Sequence, residues 1–322
     1  MSVPVLLISF NRPSHTRKVL EAVLVHHPQE LFLFQDGPRH NNPSDIGKCK
    51  EVRAVFDSFL ESNPGIVHHS LFSEVNLGCG PGPAKAISWF FEHVDQGIIL
   101  EDDAIPHPDF FPYAEELLER YKYDYSVYAI GSMNIDMHKW GDGSYYFSMM
   151  NRNLCAWASW KRAWDQFDIQ LEDVSRRKMD RALRRYKCGK IERLYWLDRL
   201  DEVHKDCCGG KSWDMQFFMS IWLKRGKGII PNVNLSSNIG TVDEATHRMA
   251  AGNLIDNIPT QPILPLVHPT TIEIQNRADR EFHYRYFEPQ KKNWPPMKKA
   301  RFVINKTLKR LIGHQGPWIR KE

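Results

Sequence analysis

Apolar and polar blocks alternate along the first third of the chain. Val3 to Phe10 is a largely apolar run closed by Asn11-Arg12-Pro13, as in a strand buried on both faces. Residues 14–26 then place apolar side chains at helical spacing, with Ser14 as a cap. The cycle repeats. Leu31 to Phe34 predicts a strand that stops at Gln35-Asp36-Gly37-Pro38, and residues 45–62 a helix. Val67 to Phe72 predicts a strand, 83–94 a helix with Pro83 near its first turn, and Ile98 to Leu100 the next strand. This order predicts a doubly wound α/β fold whose central sheet is mostly parallel and flanked by helices. Ligands of such sheets bind outside the carboxyl ends of the strands. Asn11-Arg12, Asp36 and the acids Glu101, Asp102 and Asp103 all fall at those ends.

After residue 110 the rhythm changes. A helix is expected over Asp109 to Lys122, then strands at Val127 to Ile130 and Tyr145 to Met149. Helices are expected at about 156–167, 172–188 and 192–205, another from Trp213, and a strand at 228–236. Residues 253–296 are proline-rich and read as irregular. The expected organisation is a catalytic unit over 1–290, divided into a nucleotide-binding half (1–110) and an acceptor-side half (111–290), followed by a basic tail (291–322).

Composition narrows the function. The 322 residues carry a net charge of only +4, and 42% are hydrophobic, enough for a sizeable core. Residues 291–322 hold ten Lys and Arg against the single acid Glu322, which leaves the rest at about −5. Within 296–313, Met297, Ile304, Leu308, Leu311 and Ile312 fall near one helical face. That pattern suits an anionic membrane surface or packing on the catalytic unit. Nucleic acid is not expected, because the basic residues are confined to the tail and no reading motif accompanies them. The six cysteines show no CxxC spacing and read as free thiols of a reducing compartment. The N-terminus has no basic segment ahead of its apolar run and reads as a first strand, and no apolar stretch is long enough to span a bilayer. The expectation is a soluble cytoplasmic protein, with peripheral contact at the inner membrane face through its tail.

Glu101, Asp102 and Asp103 pose the chemical question. Three adjacent carboxylates at the end of a buried strand repel one another and lose hydration. A divalent cation would compensate them; a solvated acidic turn opening the next helix would also explain them. Gly78-Cys79-Gly80-Pro81-Gly82-Pro83 fails the dinucleotide fingerprint at its sixth place and follows the third strand rather than the first. No P-loop, GxSxG or HExxH motif is present.

The letters LEDDAIPHPDFF at 100–111 resemble the strand-end EDD and following PDFF of N-acetylglucosaminyltransferase I and its bacterial relatives, members of the GT-A glycosyltransferases. PVLLISFNR, FLFQDGPR, LCAWASWKRAW and KSWDMQFF resemble further segments of that family in the same order, over roughly residues 3–250. The resemblance implies a GT-A (nucleotide-diphosphosugar transferase) Rossmann-like fold. It implies transfer of a hexosyl or N-acetylhexosaminyl group from a nucleotide-diphosphosugar, a UDP-sugar by preference, to an acceptor hydroxyl on a glycan or lipid-linked glycan. Mn2+ or Mg2+ would be required. It places Asp103 on the metal, Asp102 and Glu101 on the donor, Phe10, Arg12 and Asp36 around the nucleotide, and Asp214 as the base of an inverting displacement. Trp213 is expected against a sugar and His247 as a second metal ligand, with Asp243 and Glu244 as weaker candidates. Each residue also has an ordinary role: Asp36 as a turn residue, Asp214 as a helix-start acid, and Trp213, Trp157 and Trp160 as core. Two alternatives stand beside transfer: a non-catalytic nucleotide-sugar-binding protein, and a sugar-nucleotide pyrophosphorylase. The latter expects a glycine-rich basic loop after the first strand, and ISFNRPSHTRK has no glycine.

Overall fold

A computed structural model describes residues 2–150, 154–205, 212–240 and 257–287. Four strands build one side of the sheet: β1 (Val5–Ser9), β2 (Glu30–Gln35), β3 (Val67–Phe72) and β4 (Gln96–Glu101), all mutually parallel in the order β3-β2-β1-β4. The helices α1 (Pro13–Leu24), α2 (Ser44–Ser62) and α3 (Pro81–His93) connect them. A short β5 (Ala104–Pro106) and α4 (Phe110–Arg120) follow, then β6 (Val127–Gly131), β7 (Tyr145–Ser148) and β8 (Ala156–Trp160). The single turn α5 (Lys161–Trp164) and the helices α6 (Arg176–Arg185), α7 (Lys190–Lys205) and α8 (Asp214–Leu223) precede β9 (Lys227–Pro231) and β10 (Ser236–Asn238). Last come α9 (Asn276–Phe282) and a π-helical turn, His283–Phe287.

The large sheet runs β3-β2-β1-β4-β8-β6-β9-β7. β8 and β7 run against the other six strands, so the sheet is mostly parallel, as its sequence predicts. Period two sorts each strand onto two cores. Leu6, Ile8, Phe32, Phe34 and Ile99 belong to one core with α3, α6, α7 and α8. Val5, Leu7, Leu31, Leu33, Ile98 and Leu100 face α1, α2 and α4. Burial on both faces explains why these strands read as apolar runs rather than alternating ones.

The second half departs from the sequence expectation in three places. The helix expected at about 156–167 is β8 for its first five residues, Ala156–Trp160, wedged between β4 and β6, and only Lys161–Trp164 is helical. Its apolar letters carry no period that separates a two-sided strand from a buried helix. The strand expected at 228–236 is two strands: β9 stays in the large sheet, while β10 leaves it to pair antiparallel with β5. The proline-rich region contains α9, pinned where Asp279 accepts hydrogen bonds from Ser148 Oγ (2.5 Å) and Met149 N (2.9 Å). Among the described residues no helix is long and apolar enough to cross a membrane.

Candidate functional site at the strand ends

Because β1, β2 and β4 are parallel neighbours, their carboxyl ends share one edge of the sheet. The chain leaves β1 through Phe10-Asn11-Arg12 and enters α1 at Pro13, which needs no N–H partner in a first helical turn. This short connection aims Arg12 at the end of β4. Its Nη1 donates to Asp102 Oδ1 at 3.2 Å and to Asp103 Oδ2 at 2.7 Å, and the Phe10 amide donates to Asp102 Oδ2 at 3.1 Å. The compensation that the acid triplet demands is therefore partly internal. Burial works against the charge on Arg12, but Asp102 and Asp103 outweigh it and hold the guanidinium above its ordinary pKa. Asp102 is 6% exposed, and burial pushes its carboxyl up to about 6 against the pull of Arg12. Glu101 is pushed further, to about 8, by burial and by the charges of Asp103, Asp102 and Asp214. One guanidinium is thus shared by two acids and leaves the third largely uncompensated.

Two later segments close the other side. The Glu101 amide donates to the Cys155 carbonyl at 2.7 Å, extending the β4–β8 ladder. The pairing of β5 with β10 brings Asn238 and Gly240 over the acids: the Ile239 amide donates to the Asp103 carbonyl at 2.8 Å, and Asn238 Nδ2 lies 3.4 Å from Asp103 Oδ1. Gly240 leaves room for the Asp103 carboxylate there, since a Cβ would stand 2.2 Å from Asp103 Oδ2. Glu101, Asp103 and Cys155 each offer a ligand atom, and the three atoms lie within 4.8 Å of one another. Two carboxylates this close, with too little counter-charge, fit a divalent cation chemically.

Asp36 sits at the end of β2 as its sequence predicts, but its oxygens are engaged. They accept from the amides of Gly37 (2.9 Å), Leu77 (2.8 Å) and Gly78 (3.0 Å) and from Asn76 Nδ2 (3.0 Å). Burial raises its pKa and those amide donors oppose the rise. In this structure Asp36 anchors the loop between β3 and α3, and Gly82 permits the approach, with its Cβ position 3.3 Å from Asp36 Oδ2. The same loop carries Cys79, whose thiol is pushed up by burial and by the charges of Glu101, Asp214 and Asp36. Those three acids therefore converge on one loop. Phe10 lies beneath the guanidinium of Arg39, 5.4 Å from its ring centre, and Arg39 is held by the fully buried Asp45 at 2.6 Å.

Asp214 opens α8, near enough for its charge to raise the pKa of Glu101. Its Oδ1 accepts from the Met215 amide at 2.8 Å and from the Ser212 hydroxyl. Trp213 is 4% exposed; it stacks on Trp157 with ring centres 5.7 Å apart and meets Trp164 edge-on. It is a core residue at the start of α8. Trp157 and Trp160 are likewise core, the latter donating from Nε1 to the Leu118 carbonyl at 3.1 Å. His247, Asp243, Glu244 and the basic tail lie outside the described residues.

The structure thus brings Phe10, Arg12, Glu101, Asp102 and Asp103 into one cluster with Asp214 within electrostatic reach. Sequence reasoning missed Cys155, Asn238 and Gly240. No spacing signals them, because Asn238 reaches Asp103 across 135 residues through a two-stranded ribbon.

No protein-family model and no curated protein matches the chain. Among solved structures it is similar to the mannosyltransferase PcManGT from Pyrobaculum calidifontis, in complex with GDP-Man and Mn2+, at 12% identity and a TM-score of 0.38, over 69% of this chain and 70% of that one. It is similar to an apo UDP-glucose pyrophosphorylase at 8% identity and a TM-score of 0.38, over 74% and 93% of the two chains. HddC from Yersinia pseudotuberculosis follows at 10% identity and a TM-score of 0.31, over 51% and 80%. Likenesses this faint say nothing about activity.

Proposed function

We propose that the chain is a metal-dependent glycosyltransferase that takes a nucleotide-diphosphosugar, by preference a UDP-sugar, and passes its sugar to an acceptor hydroxyl with inversion. One observation carries the reading: Arg12, Glu101, Asp102 and Asp103 converge at the strand ends with Asp214 within electrostatic reach. A diphosphate leaving group needs positive charge, and an acceptor hydroxyl needs a base; this edge can supply both.

Glu101 and Asp103 would hold Mn2+ or Mg2+, which when bound neutralises the charge developing on the departing diphosphate. Arg12 orients Asp102 and Asp103 from the protein side. Asp102, fixed by the Phe10 amide, presents an ordered carboxyl to the donor's ribose or sugar. Phe10 and Arg39 form one wall for the base. Among the described residues both hydrogen bonds to Asp214 go to Oδ1, which leaves Oδ2 to take the acceptor proton.

The pyrophosphorylase alternative is disfavoured by the β1–α1 connection, where Phe10-Asn11-Arg12 enters the helix with no glycine-rich phosphate loop. Calorimetric titration of UDP, GDP and CDP, each with Mn2+ and with EDTA, tests the donor class. One nucleotide should bind only with metal; no binding of any nucleotide in either condition removes the proposal. Donor hydrolysis separates an enzyme from a mere binder. Asp103→Ala should lose metal-dependent donor binding and transfer, whereas Asp214→Asn should lose transfer and keep binding.

A further inference from the structure

Resting on the proposed cation at Glu101 and Asp103, we infer that Cys155 is a third protein ligand and that the site therefore takes a thiophilic divalent cation in preference to Mg2+. Three observations lead there. First, Cys155 immediately precedes β8, the strand antiparallel to β4, and its carbonyl accepts from the Glu101 amide at 2.7 Å. The thiol is thus held at the acid end of β4 by the sheet itself, not by a movable loop. Second, its sulfur and one oxygen each of Glu101 and Asp103 lie within 4.8 Å of one another. Donors on one tetrahedral ion, at about 2.3 Å for sulfur and about 2.1 Å for oxygen, stand about 3.4–3.6 Å apart, so the three side chains need close by no more than about 1.4 Å on binding. Third, Asn238 Nδ2 lies 3.4 Å from Asp103 Oδ1 and 3.7 Å from Cys155 Sγ, so one amide marks a point shared by the carboxylate and the thiol.

The chemistry gives the selectivity. Mg2+ demands oxygen donors in near-octahedral order, whereas Zn2+, Co2+ and Cd2+ accept thiolate. On binding, the S–H bond of Cys155 breaks as the metal–sulfur bond forms, and the proton passes to buffer. The competing account is a half-buried structural thiol that accepts from Asn238 and hydrogen-bonds the Glu101 carboxyl.

Cobalt absorption tests this on the full chain, without reference to turnover. Co2+ added to the wild-type protein should give a thiolate-to-cobalt charge-transfer band. The band should survive in Cys79→Ser and vanish in Cys155→Ser. Cobalt affinity in Cys155→Ser should fall at least about tenfold, since loss of outer-shell partners alone costs about 10- to 100-fold. Should Cys155→Ser fail to fold, Cys155→Ala takes its place, because another cysteine can also give a wild-type band. Ligand-field bands without charge transfer would overturn the role of Cys155 and leave an oxygen-ligand cation site standing. A charge-transfer band that persists in Cys155→Ser would also overturn it. No cobalt binding, with or without UDP, would remove the proposed cation site and this inference together.

Discussion

Replacing Arg12 by Gln tests whether the acid triplet leans on an internal counter-charge. Arg12 Nη1 contacts Asp102 at 3.2 Å and Asp103 at 2.7 Å, and the side chains are 15%, 8% and 14% exposed in that order, so water contributes little screening. Breaking a buried pair from one side costs about 3–5 kcal/mol, most of it the penalty of a stranded charge. The site opens at a sheet edge, so the lower figure, about 3 kcal/mol, is expected. At about 2 °C per kcal/mol, the low end for a chain of this size, the melting temperature falls about 6 °C. Denaturant unfolding of wild type, Arg12→Gln, Asp102→Asn and the double variant, in EDTA so that no metal substitutes for the guanidinium, reads the cycle. The second change should cost much less in the Arg12→Gln background than in wild type, with a coupling of about 1 kcal/mol or more. A loss below about 0.5 kcal/mol for Arg12→Gln, or strict additivity, would refute the counter-charge argument.

Three other changes probe separate features. Burial holds the carboxyl of Glu192 at about 7, well above its ordinary 4.5, so the folded state binds an extra proton between those values and stability falls as pH rises through that window. Glu192→Gln should flatten this fall, worth up to about 3 kcal/mol, in unfolding measured from pH 4.5 to 8; an unchanged slope would clear Glu192 of the effect. Gly97→Ala places a Cβ 2.2 Å from Phe90 Cζ and 3.0 Å from the Pro4 carbonyl, and should cost about 1–3 kcal/mol by overpacking, with wild-type stability as the contrary result. Gly240→Ala forces Asp103 Oδ2 off its position without changing any charge, so transfer should drop by up to about 100-fold while circular dichroism stays the same; full transfer would show that the Asp103 rotamer is immaterial.

By itself the sequence determined the parallel half of the sheet and which polar residues stand at its end. Strands buried on both faces must be apolar throughout, so β1, β2 and β4 announced themselves, and Arg12, Asp36 and the 101–103 acids stood at their ends as polar breaks. Local signals sufficed because each of these elements is specified within its own few residues. The tertiary structure decided what the residues do to one another. It turned Asp36 toward the loop at Asn76–Gly78 and buried Trp213 against Trp157. It also made Ala156–Trp160 a strand, because the gap between β4 and β6 can be filled only by extended chain, a demand that no apolar period records. That insertion carries Cys155 to Glu101, and the β5–β10 ribbon carries Asn238 to Asp103. Pairings across such distances in the chain come from sheet register and close packing rather than spacing, so they became visible only once the strands were in place.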